Sequence, residues 1–231
     1  LLSTAREIEP PAEDDAVFAV PEEPDVRIGV ALDEAFNFYY ADLFDVLASL
    51  GAEAVPFSPI HGRLPEADGY IIGGGYPEVF GAELEANTAM REGLLEVSRN
   101  GTPIYAECGG LIYLAEQLAT DGGDYPMAGI LPAAAVMTDR IQALGYVEAR
   151  VAGGTPVLIP GSAFRGHEFH YSRLDCAPDA RFALTLLRGK GIDGGRDGLI
   201  AQNAVGQYTH AYFTEGFAGM LVQAALAYRR S

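Results

Sequence analysis

A chain of 231 residues, 49% of them apolar, is long enough to bury one sizeable core, and its two cysteines are too few for a disulfide framework. The net charge of −17 argues against nucleic acid and against anionic membranes, both of which require basic patches. No apolar run approaches the roughly 20 residues that span a bilayer, so a soluble protein of the reducing cytoplasm is expected.

Lysine occurs once, at Lys190, and arginine supplies the rest of the 15 basic residues. That balance fits either a codon bias with an acidic surface or adaptation to high salt, where screening makes dense carboxylates tolerable.

Residues 5–25, AREIEPPAEDDAVFAVPEEPD, are rich in Pro, Glu and Asp and lack a sustained apolar period, which reads as a linker or arm. The opening LLSTA reads as the end of a helix from an upstream unit, so residues 1–25 are set apart from a domain at 26–231. VRIGVAL is a buried strand, and NFYYADLFDVLASLG follows with helical spacing and Gly51 as its stop. EAVPF and ADGYIIGGG are strand-like, residues 83–99 form one helix, and TPIYAE is a strand feeding a helix over 111–118. Beyond Gly145 strands crowd together as YVEARV, PVLI, FRGHEFHYS, FALTLL and GLIAQNAVGQYTHAYF, and a helix over 215–230 closes the chain. The alternation implies an α/β fold. A mostly parallel sheet would carry helices on both faces, with added antiparallel strands in the C-terminal half.

The strand–Cys108–Gly-Gly–helix junction has the form of a nucleophile elbow, which exposes a side chain at the carboxyl end of a strand. The helix amides that follow would lower a thiol's pKa and attract developing negative charge. Three glycines in GYIIGGGYPE let main-chain N–H groups face a ligand. No phosphate-loop pattern surrounds Lys190 in RGKGIDGG, so ATP binding by this chain is not expected. His61 lies in a Pro/Gly-flanked loop. His167 and His170 are three apart in a strand, hence on opposite faces and poorly placed to share a metal. His210 ends a strand just before the last helix, where a general base could meet the elbow cysteine. Cys176 sits beside Asp175, a neighbour that slows a thiol.

Five blocks in this order, ALDEAFNFYYADLFDVLASLGAE, GGGYPE, PIYAECGGLIYL, QALGYVEA and GHEFHYS, resemble the C-terminal glutaminase domain of cobyrinic acid a,c-diamide synthases. These belong to the class I-like glutamine amidotransferases, whose fold is flavodoxin-like, and the resemblance runs from Val26 to the chain's end. It implies that Cys108 is the nucleophile, that His210 activates it, and that Gly75 and Gly109 donate to the oxyanion. Gly74, Tyr76, Glu168 and His170 are expected around the substrate. The family commonly has a second histidine two residues after the catalytic one, where this chain has Tyr212. A Cys–His dyad is therefore expected, with its third member unidentified and Glu168 a candidate to orient the histidine. L-Glutamine would be the ligand. The upstream synthetase domain of the same polypeptide would receive the ammonia and use ATP and Mg²⁺ to activate a corrinoid's acetate carboxylates. No cofactor or metal is expected in this chain. A sister enzyme amidating nickel sirohydrochlorin, another cysteine hydrolase, and a non-catalytic module remain as alternatives.

Overall fold

In the computed structural model, which describes residues 21, 23–155 and 157–231, the chain from Val26 onward is built on a ten-stranded mixed sheet. The arm expected at residues 1–25 lies almost wholly outside the described residues. Across the sheet the strands run His210–Ala211, Ala163–His170, Ala143–Val151, Arg181–Arg188, Arg196–Ala201, Ala204–Gln207, Ile104–Glu107, Gly69–Ile72, Val26–Ala31 and Ala52–Phe57. The last five pair in parallel. The first five continue the sheet antiparallel, as the close strand spacing beyond Gly145 implies.

The parallel strands are apolar at nearly every position because both faces are covered. Ile104 and Ala106 point into one apolar cluster with Leu84, Met90, Leu94 and Leu111, while Tyr105 points into the other with Leu47, Phe217 and Leu221. Helices Leu43–Ser49 and Glu215–Arg229 therefore cover one face, and Thr88–Arg99 and Gly109–Leu114 the other. Each large apolar side chain buried this way contributes roughly 1.5–3 kcal/mol.

Four local expectations change. The helix read from NFYYADLFDVLASLG begins only at Leu43, because Phe36–Phe38 pairs as a strand with Gly74–Gly75. The helix after Cys108 stops at Leu114, and Ala115–Thr120 becomes a strand. It pairs with Gly123–Pro126 and Leu131–Met137, and with Ser172–Cys176 these form a separate four-stranded sheet. Ala, Glu, Gln and Leu favour helix in isolation, but hairpin pairing through the Asp121-Gly122 turn overrides that preference. The helix expected over 83–99 is broken at Asn87, whose side chain accepts the Met90 N–H and donates to the carbonyls of Pro59 and Gly62. Residues 157–159 of PVLI are not a strand, because the Val157 and Leu158 N–H groups both donate to the Thr155 hydroxyl. The first residue of that run lies outside the described residues.

Candidate active site

Cys108 stands between the strand Ile104–Glu107 and the helix Gly109–Leu114 with φ +45° and ψ −97°. Among the described residues only Cys108 and Gln202 hold positive φ without being glycine. The ψ of Cys108 places it outside the left-handed helical well, in a conformation that glycine ordinarily supplies. Surrounding bonds impose it. The Cys108 N–H donates to the Gln207 carbonyl at 2.8 Å, and the Gly110 N–H donates to the Gly73 carbonyl at 3.0 Å. A Cβ at position 110 would overlap the Ile72 carbonyl, so the helix approaches the strand this closely only with glycine there.

His210 opens the short strand His210–Ala211, which pairs with Gly166 and His167. The residues before it are anchored by the buried carboxylate of Asp197, which accepts the N–H groups of Tyr208 and Thr209 and the Thr209 hydroxyl. The imidazole lies over Gly74, where a Cβ would come within 2.5 Å of its Cε1. It stacks on His167 at 4.8 Å between ring centres and meets Phe38 edge-on. Its Nδ1 is 3.6 Å from Oε2 of Glu107, and both side chains are only 6% exposed. Burial works against charge on this imidazole. Attraction to Cys108 and Glu107 outweighs it, and the pKa is pushed up to about 10. His167, stacked on it, is pushed down by burial and then by His210 itself.

Glu107 was not singled out from the sequence, although it directly precedes the cysteine. Glu168, the candidate orienting carboxylate, is engaged elsewhere: it accepts the N–H groups of Lys190 at 2.6 Å and Gly191 at 3.0 Å. Strand alternation turns it to the opposite face from His167, and so away from His210. Tyr212 packs edge-on against Tyr40.

A pocket of about 240 Å³ opens over Cys108, lined also by Gly75, Tyr76, Glu78, His170 and His210. His170 is buried, stacks on Tyr208 at 3.6 Å, and donates from Nδ1 to the Ser172 carbonyl. Tyr76 is exposed at the rim, and its N–H is used by the Ala35 carbonyl. Gly74 and Gly75 form a short strand against Phe36 and Phe38. The other cysteine and histidine lie apart: Cys176 ends a strand of the four-stranded sheet, and exposed His61 faces Glu34. Lys190 donates from Nζ to the Gln142 carbonyl. A larger cleft, about 810 Å³, lies at the opposite ends of the parallel strands, where Arg27 and Arg229 pair with Glu53 and Asp68. Among the described residues no cluster of three or more His, Cys, Asp or Glu could hold a metal ion.

Gly75 and Gly109 approach each other across the elbow. A Cβ at 109 would lie 2.8 Å from the Gly75 nitrogen. As the first helical residue, Gly109 has an N–H with no acceptor inside its own helix. Helix propensity alone would make Gly109→Ala stabilising by up to about 1 kcal/mol. The contact should instead force the Gly75 loop to shift, so Gly109→Ala should be destabilising despite its higher helix propensity. Urea unfolding of the two proteins checks this, and an Ala variant of equal or greater stability would mean that the loop yields without cost.

Residues 27–217 match the CobB/CobQ-like glutamine amidotransferase domain. A cobyrinate a,c-diamide synthase of Methanosarcina acetivorans is 46% identical over 225 residues, covering 90% of this chain and 45% of that protein. One of Methanosarcina barkeri is 45% identical, covering 91% of this chain and 46% of that protein. The chain thus spans about half the length of the curated relatives it matches. The structure of PurLQS from Thermotoga maritima shares the fold, with a TM-score of 0.63, 17% identity and coverage of 90% of this chain and 99% of that chain. An α/β sheet of this topology and a family match over most of the folded residues lead to one assignment: the chain belongs to the CobB/CobQ-like glutamine amidotransferase family.

Proposed function

We propose that this domain hydrolyses L-glutamine at Cys108 and supplies ammonia for the amidation of the a- and c-acetate side chains of cobyrinic acid. The observation that carries the reading is a cysteine on a strained elbow and a buried histidine beside a carboxylate, both lining one pocket sized for a small molecule. In this reading the Cys108 thiolate attacks the side-chain amide carbon while imidazolium His210 stands ready to protonate the leaving nitrogen. The oxyanion rests on the N–H groups of Gly75 and Gly109, each worth a few kcal/mol in such sites. Ammonia departs and leaves a γ-glutamyl thioester. Water, deprotonated by neutral His210, then releases glutamate and restores the thiolate–imidazolium pair.

The tetrapyrrole comes from the relatives' names, because the residues lining this pocket meet glutamine in either case. The relatives' greater length supports a separate synthetase half, which in this reading is where ATP and Mg²⁺ would act. No step of glutamine hydrolysis passes through them. The exposed apolar side chains of Leu144, Tyr146 and Phe169, on adjacent strands beside the pocket, support a covering partner. A reducing cytoplasm suits two free thiols, and no helix of the described residues is long and apolar enough to cross a membrane.

A diazoketone analogue of glutamine tests the reading. Near neutral pH it should alkylate Cys108 and be blocked by glutamine. Cys176 should stay unlabelled, because burial, then Asp193 and Asp175, push its thiol up to about 11. Peptide mapping that found the label chiefly on Cys176 would sink the proposal.

A further inference from the structure

The carboxylate of Glu107 is held from one side only. Its Oε1 accepts the Tyr105 hydroxyl and the Ala211 N–H, the latter at 2.9 Å. The Tyr105 oxygen in turn accepts from Nε2 of Gln207, whose other N–H reaches the Thr209 carbonyl. These bonds tie the carboxylate to the strand on each side of His210 and leave Oε2 aimed at the imidazole. Nδ1 of His210 is buried and makes no hydrogen bond, with Oε2 its near acceptor at 3.6 Å.

We propose that Glu107 is the positioning residue of the site, the third member that holds His210 with its proton on Nδ1 and its Nε2 toward Cys108. The inference rests on the glutaminase reading above. A carboxylate facing Nδ1 selects the tautomer whose Nε2 lone pair can take a thiol proton, and it stabilises the imidazolium that results. Such contacts are commonly long in unliganded sites and tighten as charge develops. The groups facing the imidazole are Cys108 and Glu107 at the elbow, His167 on the neighbouring strand, and Phe38 and Gly74 on the glycine-loop side. The Tyr40 hydroxyl reaches only His167, at 3.2 Å. Of these only Glu107 brings a carboxylate. Tyr105 remains a donor to it, because burial and then Glu107 itself drive its phenol well above the usual range.

The family that this chain resembles commonly has a second histidine two residues after the catalytic one. Here that position is Tyr212, and the carboxylate comes from the residue before the nucleophile. The elbow and the histidine's support are then parts of one turn.

Glu107→Gln keeps an acceptor for Tyr105 and Ala211 but sets an amide N–H₂ against Nδ1, forcing the proton onto Nε2. We expect kcat to fall on the order of 10²–10⁴-fold. KM should change little, and the pH profile of Cys108 carboxamidomethylation should move to higher pH. Glu107→Asp should lie between wild type and Gln in both readouts. A Gln variant with an unmoved alkylation profile overturns the proposal, whether its kcat is retained or lost, because a merely structural role would leave the thiolate population unchanged. If the Gln variant does not fold, the Asp variant decides: a wild-type profile there overturns it equally. Cys108→Ala is the separate control. Persistent turnover in that variant would sink the glutaminase reading, while the alkylation profiles would still judge Glu107.

Discussion

Cys108→Ala should abolish measurable glutamine turnover, a loss on the order of 10⁶-fold if the site behaves as other covalent hydrolase sites do when the nucleophile is removed. Without the thiol no thioester can form, and only binding and oxyanion stabilisation remain. Cys108→Gly should be just as inactive but more stable than Cys108→Ala. At φ +45° and ψ −97° a side chain is held in a region that costs about 1–3 kcal/mol, and glycine removes that strain. Glycine's extra freedom in the unfolded chain returns about 0.5–1 kcal/mol of the gain. A net advantage of roughly 1 kcal/mol over the Ala variant is therefore expected in urea unfolding. Equal or lower stability of the Gly variant would mean that the elbow stores no strain, and that its exposure of the thiol has another origin.

The sequence carried the elbow and the parallel strands clearly, since both depend on local signals. CGG after a buried apolar run marks a sharp turn, and apolar runs alternating with helical periods mark a covered parallel sheet. What escaped depends on pairing between distant segments. Ala115–Thr120 is made of good helix formers, and only its partners Gly123–Pro126 and Leu131–Met137 make it a strand. Glu107 escaped for a related reason. A glutamate inside IYAE reads as strand-end polarity, and its meeting with His210 is fixed by the parallel pairing of Ile104–Glu107 with Ala204–Gln207. Glu168 drew attention because it lies in the GHEFHYS block, but strand alternation turns it to the face opposite His167.

Asp197→Ala should be among the most destabilising single changes around the site, lowering stability on the order of 3–5 kcal/mol. The carboxylate is fully buried and accepts from Tyr208 N, Thr209 N and the Thr209 hydroxyl. Alanine would leave these donors without an acceptor, at about 1–3 kcal/mol for each that stays unpaired. Against a total of roughly 5–15 kcal/mol for a domain, that is a large share. Burial raises the pKa of Asp197 despite its hydrogen bonds, so folding favours the protonated form. The sign follows from that. Its contribution is fully present below the unfolded carboxylate value and declines as pH rises through the higher folded value. The wild-type advantage over Ala should therefore shrink, not grow, as pH rises through the carboxylate range. Asp197→Asn, which keeps one acceptor oxygen, should lose less than Ala. The same bonds fix the approach to His210, so turnover should fall in the Ala variant even where it remains folded. Urea midpoints at several pH values, with glutamate release measured beside them, test both parts. A loss below about 1 kcal/mol would mean that water replaces the carboxylate. A growing wild-type advantage with pH would mean that the buried charge itself stabilises the strand leading to His210.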